Sequence, residues 1–179
     1  MRQLWQMWSG DVTQEMMDYI QELADKAEAR EAGVFSGNNP DKAVRSSTVK
    51  WLHDHRLRDY LFEYVKMANV NAFNVDVYNH AEIQHTEYLA TEGGHYGWHH
   101  DIHWNAMSAG DRKLSITVQL SSPEEYEGGE FEFSECATPT SKEKGTVLVF
   151  PSYLQHRVLP VTEGTRKSLV AWFSGPRWR

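Results

Sequence analysis

A β sandwich or jelly roll with a helical buttress is the fold class this sequence predicts, on three observations. Apolar residues recur at helical spacing over roughly the first 70 positions, and the period then changes to alternation. Eight short strand-like runs follow, at 71–78, 82–90, 97–103, 113–120, 130–133, 145–150, 156–159 and 166–173. Turn chemistry separates several of them, with Gly93-Gly94, Gly128-Gly129 and Glu163-Gly164 each between two runs. Short strands that follow helices suit a sheet layer covered on one face by those helices.

The elements are justified in order. Asp11 with Gln14 reads as a helix-start pair, and Met16, Met17, Ile20, Leu23, Ala24 and Ala27 then fall on one face, which predicts a helix over 12–29. The stretch "GVFSGNNPDKAVRSS", 33–47, is rich in Gly, Asn, Ser and Pro and reads as a loop of lid length. Leu57, Tyr60, Leu61, Tyr64 and Val65 mark a second helix. The expected organisation is one domain over 1–179, with a helical lead-in and lid loop over 1–70 and a β core over 71–175.

Composition narrows the function classes. Eighteen Lys and Arg against twenty-five Asp and Glu leave a net charge of -7, which repels nucleic-acid phosphates, and no basic patch compensates. The one cysteine, Cys136, excludes an intrachain disulfide and favours a reducing, cytoplasmic setting. The opening "MRQLWQMWSGD" lacks the apolar core of a signal peptide, and no run approaches the length that spans a bilayer.

Chemistry concentrates in "HYGWHHDIHW", 95–104. His99 and Asp101 are two apart, so on a strand both side chains leave one face, as two ligands of one metal ion would. His100 points the other way. The third ligand lies C-terminal to the pair, where only His103 and His156 stand. His103 is the poorer of the two, because three alternating residues on one straight strand spread too far to surround an ion. His156 can approach from across a sheet. His99, Asp101 and His156 make a two-histidine, one-carboxylate set that holds non-haem Fe(II) with positions open.

Ten residues later Arg166 opens a run in which Arg166, Ser168, Val170 and Trp172 share a face. An inward guanidinium is costly without a carboxylate partner, and a ligand can supply one. If His156 and Arg166 lie on strands paired through a turn at Glu163-Gly164, an anion held by Arg166 reaches the metal with its other end.

"HYGWHHD", the distal "QHRVLPVTEGTR" and the spacing between them resemble the Fe(II) and 2-oxoglutarate dependent dioxygenases, especially the prolyl 4-hydroxylase-like, PKHD-type subgroup. "VRSSTVKWL" (44–52), "IQHTEY" (83–88) and "YEGGEFEF" (126–133) extend the similarity over about 44–173. The resemblance implies a double-stranded β-helix, with His99, Asp101 and His156 on iron and Arg166 on the distal carboxylate of 2-oxoglutarate. It further implies that Tyr88 lines the cosubstrate pocket and that Trp172 forms its wall. Where some relatives carry a tyrosine on the central strand this chain has Gln119, which can donate a hydrogen bond of its own. The implied cofactors are Fe(II), 2-oxoglutarate and O2, and the implied reaction is C–H hydroxylation coupled to oxidative decarboxylation.

The remaining residues divide between structure and substrate. Tyr96, His103, Trp104 and Arg112 are the candidates for substrate contact, set against core packing for Tyr96, the pocket rim for His103 and Trp104, and an ion pair for Arg112. His53, His55, His80 and His85 read as structural or exposed, and Arg157 as structural. A prolyl side chain in a peptide or protein is the expected target, with free proline or another amino acid as the alternative. A nucleic-acid demethylase conflicts with the acidic charge. A non-catalytic, cupin-like metal-binding module has no use for an inward Arg166.

Overall fold

The computed structural model describes residues 3–32, 41–102, 104, 109–137 and 141–178. Strand β1 (Gln6–Trp8) leads into helix α1 (Gln14–Lys26). Thr13 caps the helix rather than Asp11: its hydroxyl accepts from the Met16 N–H at 3.3 Å, while Asp11 accepts from the Tyr64 hydroxyl at 2.6 Å. A cap must sit three residues before the N–H it serves, on still-extended backbone, and Thr13 meets both conditions. The chain turns extended at Ala27, earlier than the predicted end at 29, and forms β2 (Arg30–Glu31). After β3 (Arg45–Ser46) comes β4 (Thr48–Leu52), to which β2 pairs. Most of the expected lid, 33–40, lies outside the described residues. Its last part is sheet, since β3 is hydrogen-bonded along a neighbouring strand.

Helix α2 (His55–Ala68) starts on Asp54, whose carboxylate accepts from the Leu57 N–H at 2.8 Å. A single π-helical turn, Asn69–Phe73, follows where a strand was expected over 71–78. The Asn69 side chain explains the difference. Its amide donates to the Val75 carbonyl and accepts from the Val75 N–H, at 2.8 and 2.9 Å, so this backbone is satisfied locally and needs no strand partner.

Eight more strands complete the chain: β5 (Ala81–Leu89), β6 (His95–His99), β7 (Asp111–Gln119), β8 (Tyr126–Gly128), β9 (Phe131–Phe133), β10 (Val147–Pro151), β11 (His156–Val158) and β12 (Val161–Gly175). They build a major sheet in the order β1-β10-β7-β12-β5-β4-β2, with β8 also on β12, and a minor sheet in the order β3-β6-β11-β9. Among the described residues every strand pairing is antiparallel. Together the two layers form the double-stranded β-helix.

Period-2 alternation decides what each face of the major sheet meets. Leu114, Ile116 and Val118 on β7, and Leu169, Ala171 and Phe173 on β12, are buried with Leu57, Leu61 and Val65 of α2 in the main core. The residues between them, Ser115, Thr117, Arg166, Ser168, Val170 and Trp172, face the minor sheet instead. One expectation is overturned here. Glu163-Gly164 is not a turn between paired strands: it lies inside β12, and His156 and Arg166 belong to different sheets. Gly164 has φ +68°, and a Cβ there would overlap the carbonyl of Glu125, which leads into β8 where that strand pairs with β12.

His85 is fully buried on the helix side of β5, and neither ring nitrogen has a hydrogen-bond partner among the described residues. Burial pushes its pKa down to about 4, against the opposing pull of Glu87. The unfolded chain therefore binds this proton first, so stability present above pH 6.5 is lost as pH falls toward 4, by roughly 3 kcal/mol in full. His85→Leu is expected to be the more stable protein at pH 7, with the gap over wild type widening between pH 6.5 and 4.5 in urea melts. A constant gap across that range would contradict this account.

Candidate functional site

The register of the minor sheet brings the first two site residues together. His156 on β11 stands directly opposite His99 on β6, and their ring centroids are 4.2 Å apart. Asp101 lies just past the end of β6, where its N–H donates to the Ser152 carbonyl at 3.0 Å. Its two carboxylate oxygens then sit 3.6 Å from His99 Nε2 and 3.5 Å from His156 Nε2. The three ligand atoms lie within 4.8 Å of one another.

Hydrogen bonding sets both imidazoles for a metal. His99 Nδ1 is 2.9 Å from the Gly97 carbonyl and His156 Nδ1 is 2.9 Å from the Leu154 carbonyl. A carbonyl only accepts, so each Nδ1 carries the proton and each Nε2 keeps its lone pair toward the shared point. Burial pushes the His156 pKa down to about 4, outweighing the pull of Asp101, and the ring is neutral near pH 7. For Asp101, burial works against ionisation. The positive charge that His156 and His99 carry when protonated, with the Ser115 hydroxyl, more than offsets it and holds the carboxyl below the ordinary carboxylate range, and a bound cation would take the place of that charge. Two neutral imidazoles and an anion around one point fit a divalent cation of the Fe(II) type.

Neighbouring groups hold this triad. Tyr96 stacks flat on His99 at 3.5 Å between ring centroids, and the Arg45 guanidinium lies over the Tyr96 ring, 4.5 Å from its centroid. Ser115 Oγ donates to Asp101 at 2.7 Å and lies 2.9 Å from Ser152 Oγ. Removing such an outer hydrogen bond typically weakens a metal site. Ser115→Ala is expected to lower Mn(II) affinity about tenfold in calorimetric titration, with little change in melting temperature. An unchanged affinity would mean that Asp101 is held without it.

The triad opens into a cavity of about 620 Å³ between the sheets. Arg166 lines it, 6% exposed and paired in register with Tyr88, whose ring centroid is 5.7 Å from the guanidinium. Among the described residues no carboxylate lies within ion-pair distance of Arg166. Tyr88, Ser168 and Trp172 line the same cavity. Arg112 does so too, with its guanidinium 4.1 Å over Trp172, ion-paired to Glu82 at 2.7 Å and 3.3 Å from the Asp101 carbonyl.

Other expected residues are placed differently. Gln119 is buried, but its amide nitrogen donates to the Ser121 carbonyl at 3.1 Å and the Tyr126 hydroxyl at 2.9 Å, so it offers no free N–H to the cavity. Trp104 is 62% exposed, and His103 lies outside the described residues. Arg157 sits on the outer face, over Trp98 and paired with Glu132. Sequence reasoning missed Ser115 and Arg45. The first had a signal, since Ser115, Thr117 and Gln119 alternate with Leu114, Ile116 and Val118, which marks a polar interior face.

The sequence model of the 2OG-Fe(II) oxygenase superfamily matches residues 83–174. A PKHD-type hydroxylase from Synechococcus sp. is 30% identical over 158 residues, covering 86% of this chain and 70% of that protein. Other PKHD-type relatives align over less than half of their own length. Among solved structures, a viral collagen prolyl hydroxylase from Paramecium Bursaria Chlorella virus-1, in a 2OG complex, superposes with TM-score 0.73 at 22% identity, covering 97% of each chain. A prolyl hydroxylase from Trichoplax adhaerens, in complex with a hypoxia inducible factor peptide fragment, gives TM-score 0.70 at 14% identity, covering 94% of this chain and 82% of that one.

Proposed function

For a chain that belongs to the 2OG-Fe(II) oxygenase superfamily, and so uses Fe(II), 2-oxoglutarate and O2, we propose that the carbon hydroxylated is a proline ring carbon in a peptide or protein. The observation that carries the reaction class is the pairing, in one cavity, of the His99–Asp101–His156 triad with a buried Arg166 that has no carboxylate partner among the described residues, and the proline target is supported by the names of the solved relatives.

When bound, Fe(II) with 2-oxoglutarate and O2 supplies the oxidant, the 2-oxo acid leaving as succinate and CO2 while the substrate C–H becomes C–OH. The residues position and enclose. His99, Asp101 and His156 would hold the cation through three ligand atoms that lie within 4.8 Å of one another, with positions open to the cosubstrate. Arg166 gives the distal carboxylate a two-pronged donor at the inner end, which fixes the direction in which the 2-oxo group points. Phe131, Phe150, Val158 and Val170 form apolar walls that exclude water. No side chain is required to take a proton from the substrate.

Names among the solved relatives, a collagen prolyl hydroxylase and a prolyl hydroxylase bound to a peptide fragment, support proline in a polypeptide. A free amino acid is the second reading, and Arg45 favours it. This buried guanidinium lines the cavity; its Nε and one terminal nitrogen donate to Ser47 and Gln84, while the other terminal nitrogen has no partner among the described residues and can take a substrate carboxylate. The test begins with anaerobic addition of Fe(II) and 2-oxoglutarate, looking for a visible metal-to-ligand band. Succinate release is then measured over proline-containing peptides, free amino acids and alkylated oligonucleotides. Release stimulated by peptides supports the proposal; stimulation by free amino acids alone replaces it with the second reading.

A further inference from the structure

We propose that Trp178 is a positioning residue for the metal site: through Tyr153 it clamps the turn over 151–155, whose backbone holds Asp101 and His156. The inference rests on the reading that His99, Asp101 and His156 bind the metal.

Three successive carbonyls of this turn face the segments that carry the ligands. The Ser152 carbonyl accepts from the Asp101 N–H at 3.0 Å, the Tyr153 carbonyl lies 2.7 Å from His100 Nδ1, and the Leu154 carbonyl lies 2.9 Å from His156 Nδ1. The Ser152 hydroxyl adds a further link, 2.9 Å from the Ser115 Oγ that donates to Asp101. Outer partners of this kind set the direction in which a ligand atom points, so a displaced turn moves Asp101 and His156 together. His99 takes its carbonyl from Gly97 on its own strand and is independent of the turn in this respect.

The turn is fastened to β7, since the Ser152 N–H donates to the Lys113 carbonyl at 3.0 Å, and Leu154 is buried with Phe133, Leu148 and Phe150. Trp178 supplies a second fastening between the same two elements. Its ring meets the Tyr153 ring edge to face, with centroids 5.4 Å apart, and the Lys113 ammonium stands 3.8 Å from the Trp178 ring centroid. Its backbone N–H donates to the Asp111 carboxylate at 2.7 Å. Asp111 and Lys113 both belong to β7, and Lys113 is the residue whose carbonyl receives Ser152. One indole therefore bridges the strand and the turn. Lys113 is buried, and an aromatic face on its ammonium offsets part of the desolvation cost, so the ring is held in place rather than resting on the surface.

The experiment titrates Mn(II) into the metal-free protein by calorimetry, well below the melting temperature. Trp178→Ala is expected to weaken Mn(II) binding about fivefold, less than the loss of a direct outer partner because the residue acts through the turn. It is also expected to shift the visible absorption bands of the Co(II)-loaded protein, which report the angles between ligands. Trp178→Phe, which keeps a ring against Tyr153 and Lys113, is expected to stay within about twofold of wild type. Tyr153→Leu removes the other ring of the pair and is expected to cost about the same as Trp178→Ala, so it carries the test if that variant does not fold. In the double variant the two losses are expected not to add, as for residues that act as one unit. A lower melting temperature with Mn(II) affinity and Co(II) bands unchanged would make Trp178 merely structural and overturn the proposal, as would losses that add in full. Asp101→Asn in the same titration separates the two levels: if it binds Mn(II) as wild type does, the reading of the metal site fails, whereas its loss beside an unaffected Trp178→Ala sinks only the role of Trp178.

Discussion

Asp101→Asn is expected to abolish substrate-dependent succinate release and to weaken Mn(II) or Fe(II) binding by about 10²–10³-fold, the scale of removing one partner from a buried charge pair. The carboxylate is the only anion in the triad, and the two imidazoles are set as neutral lone-pair donors by their carbonyl partners. Asparagine can still accept from Ser115 and fills the same space, so the metal-free fold loses little. What it cannot supply is charge beside a dication in a site where Asp101 is 5% exposed. The clean readout is the metal-induced rise in melting temperature, present in wild type and absent in the variant. If Asp101→Asn binds Mn(II) within a few-fold of wild type, the triad is not the metal site.

Arg166→Ala is expected to raise the dissociation constant for 2-oxoglutarate by about 10²–10³-fold, because a fully desolvated, two-pronged carboxylate contact is lost. The stability of the ligand-free protein is expected to move the other way. A 6% exposed guanidinium with no carboxylate within ion-pair distance among the described residues has the Tyr88 ring and the longer-range attraction of Glu130 to offset its burial, and removing it relieves a desolvation cost. Affinity and stability thus change with opposite sign, which a purely structural arginine would not produce. Arg166→Lys is expected to restore only part of the affinity, since an ammonium offers a point charge in place of a planar fork. A melting temperature that falls by many degrees in Arg166→Ala, with affinity unchanged, would reassign the residue to the core.

Much of this was readable without coordinates, for identifiable reasons. The HxD pair was legible because a strand's period of two places residues 99 and 101 together. His156 could be found by elimination, as His103 shares a strand with the pair. Helix α2 was visible in its apolar stripe, and α1 in its Met and Ala positions. The misses have physical causes as well. Glu163-Gly164 looks like a turn because glycine permits positive φ, yet the same freedom serves an irregular stretch of a strand closely approached by its neighbour, and one-dimensional spacing does not separate the two. The run at 71–78 alternates as a strand does, but one asparagine side chain satisfied the backbone that a partner strand would otherwise have met.

By itself, the sequence determined the chemistry: which side chains can bind a divalent cation, that an inward arginine stands ten residues past the last of them, and that helices cover one face of a β layer. Those follow from residue type and local period, which are properties of neighbours along the chain. Only the tertiary structure decided that His99 faces His156 across the minor sheet, that Arg166 comes from the other sheet, and that the amide of Gln119 is spent on Tyr126. Strand pairing joins residues tens of positions apart, and the direction of a hydrogen bond depends on every partner within reach, so neither is written in any short stretch of the chain.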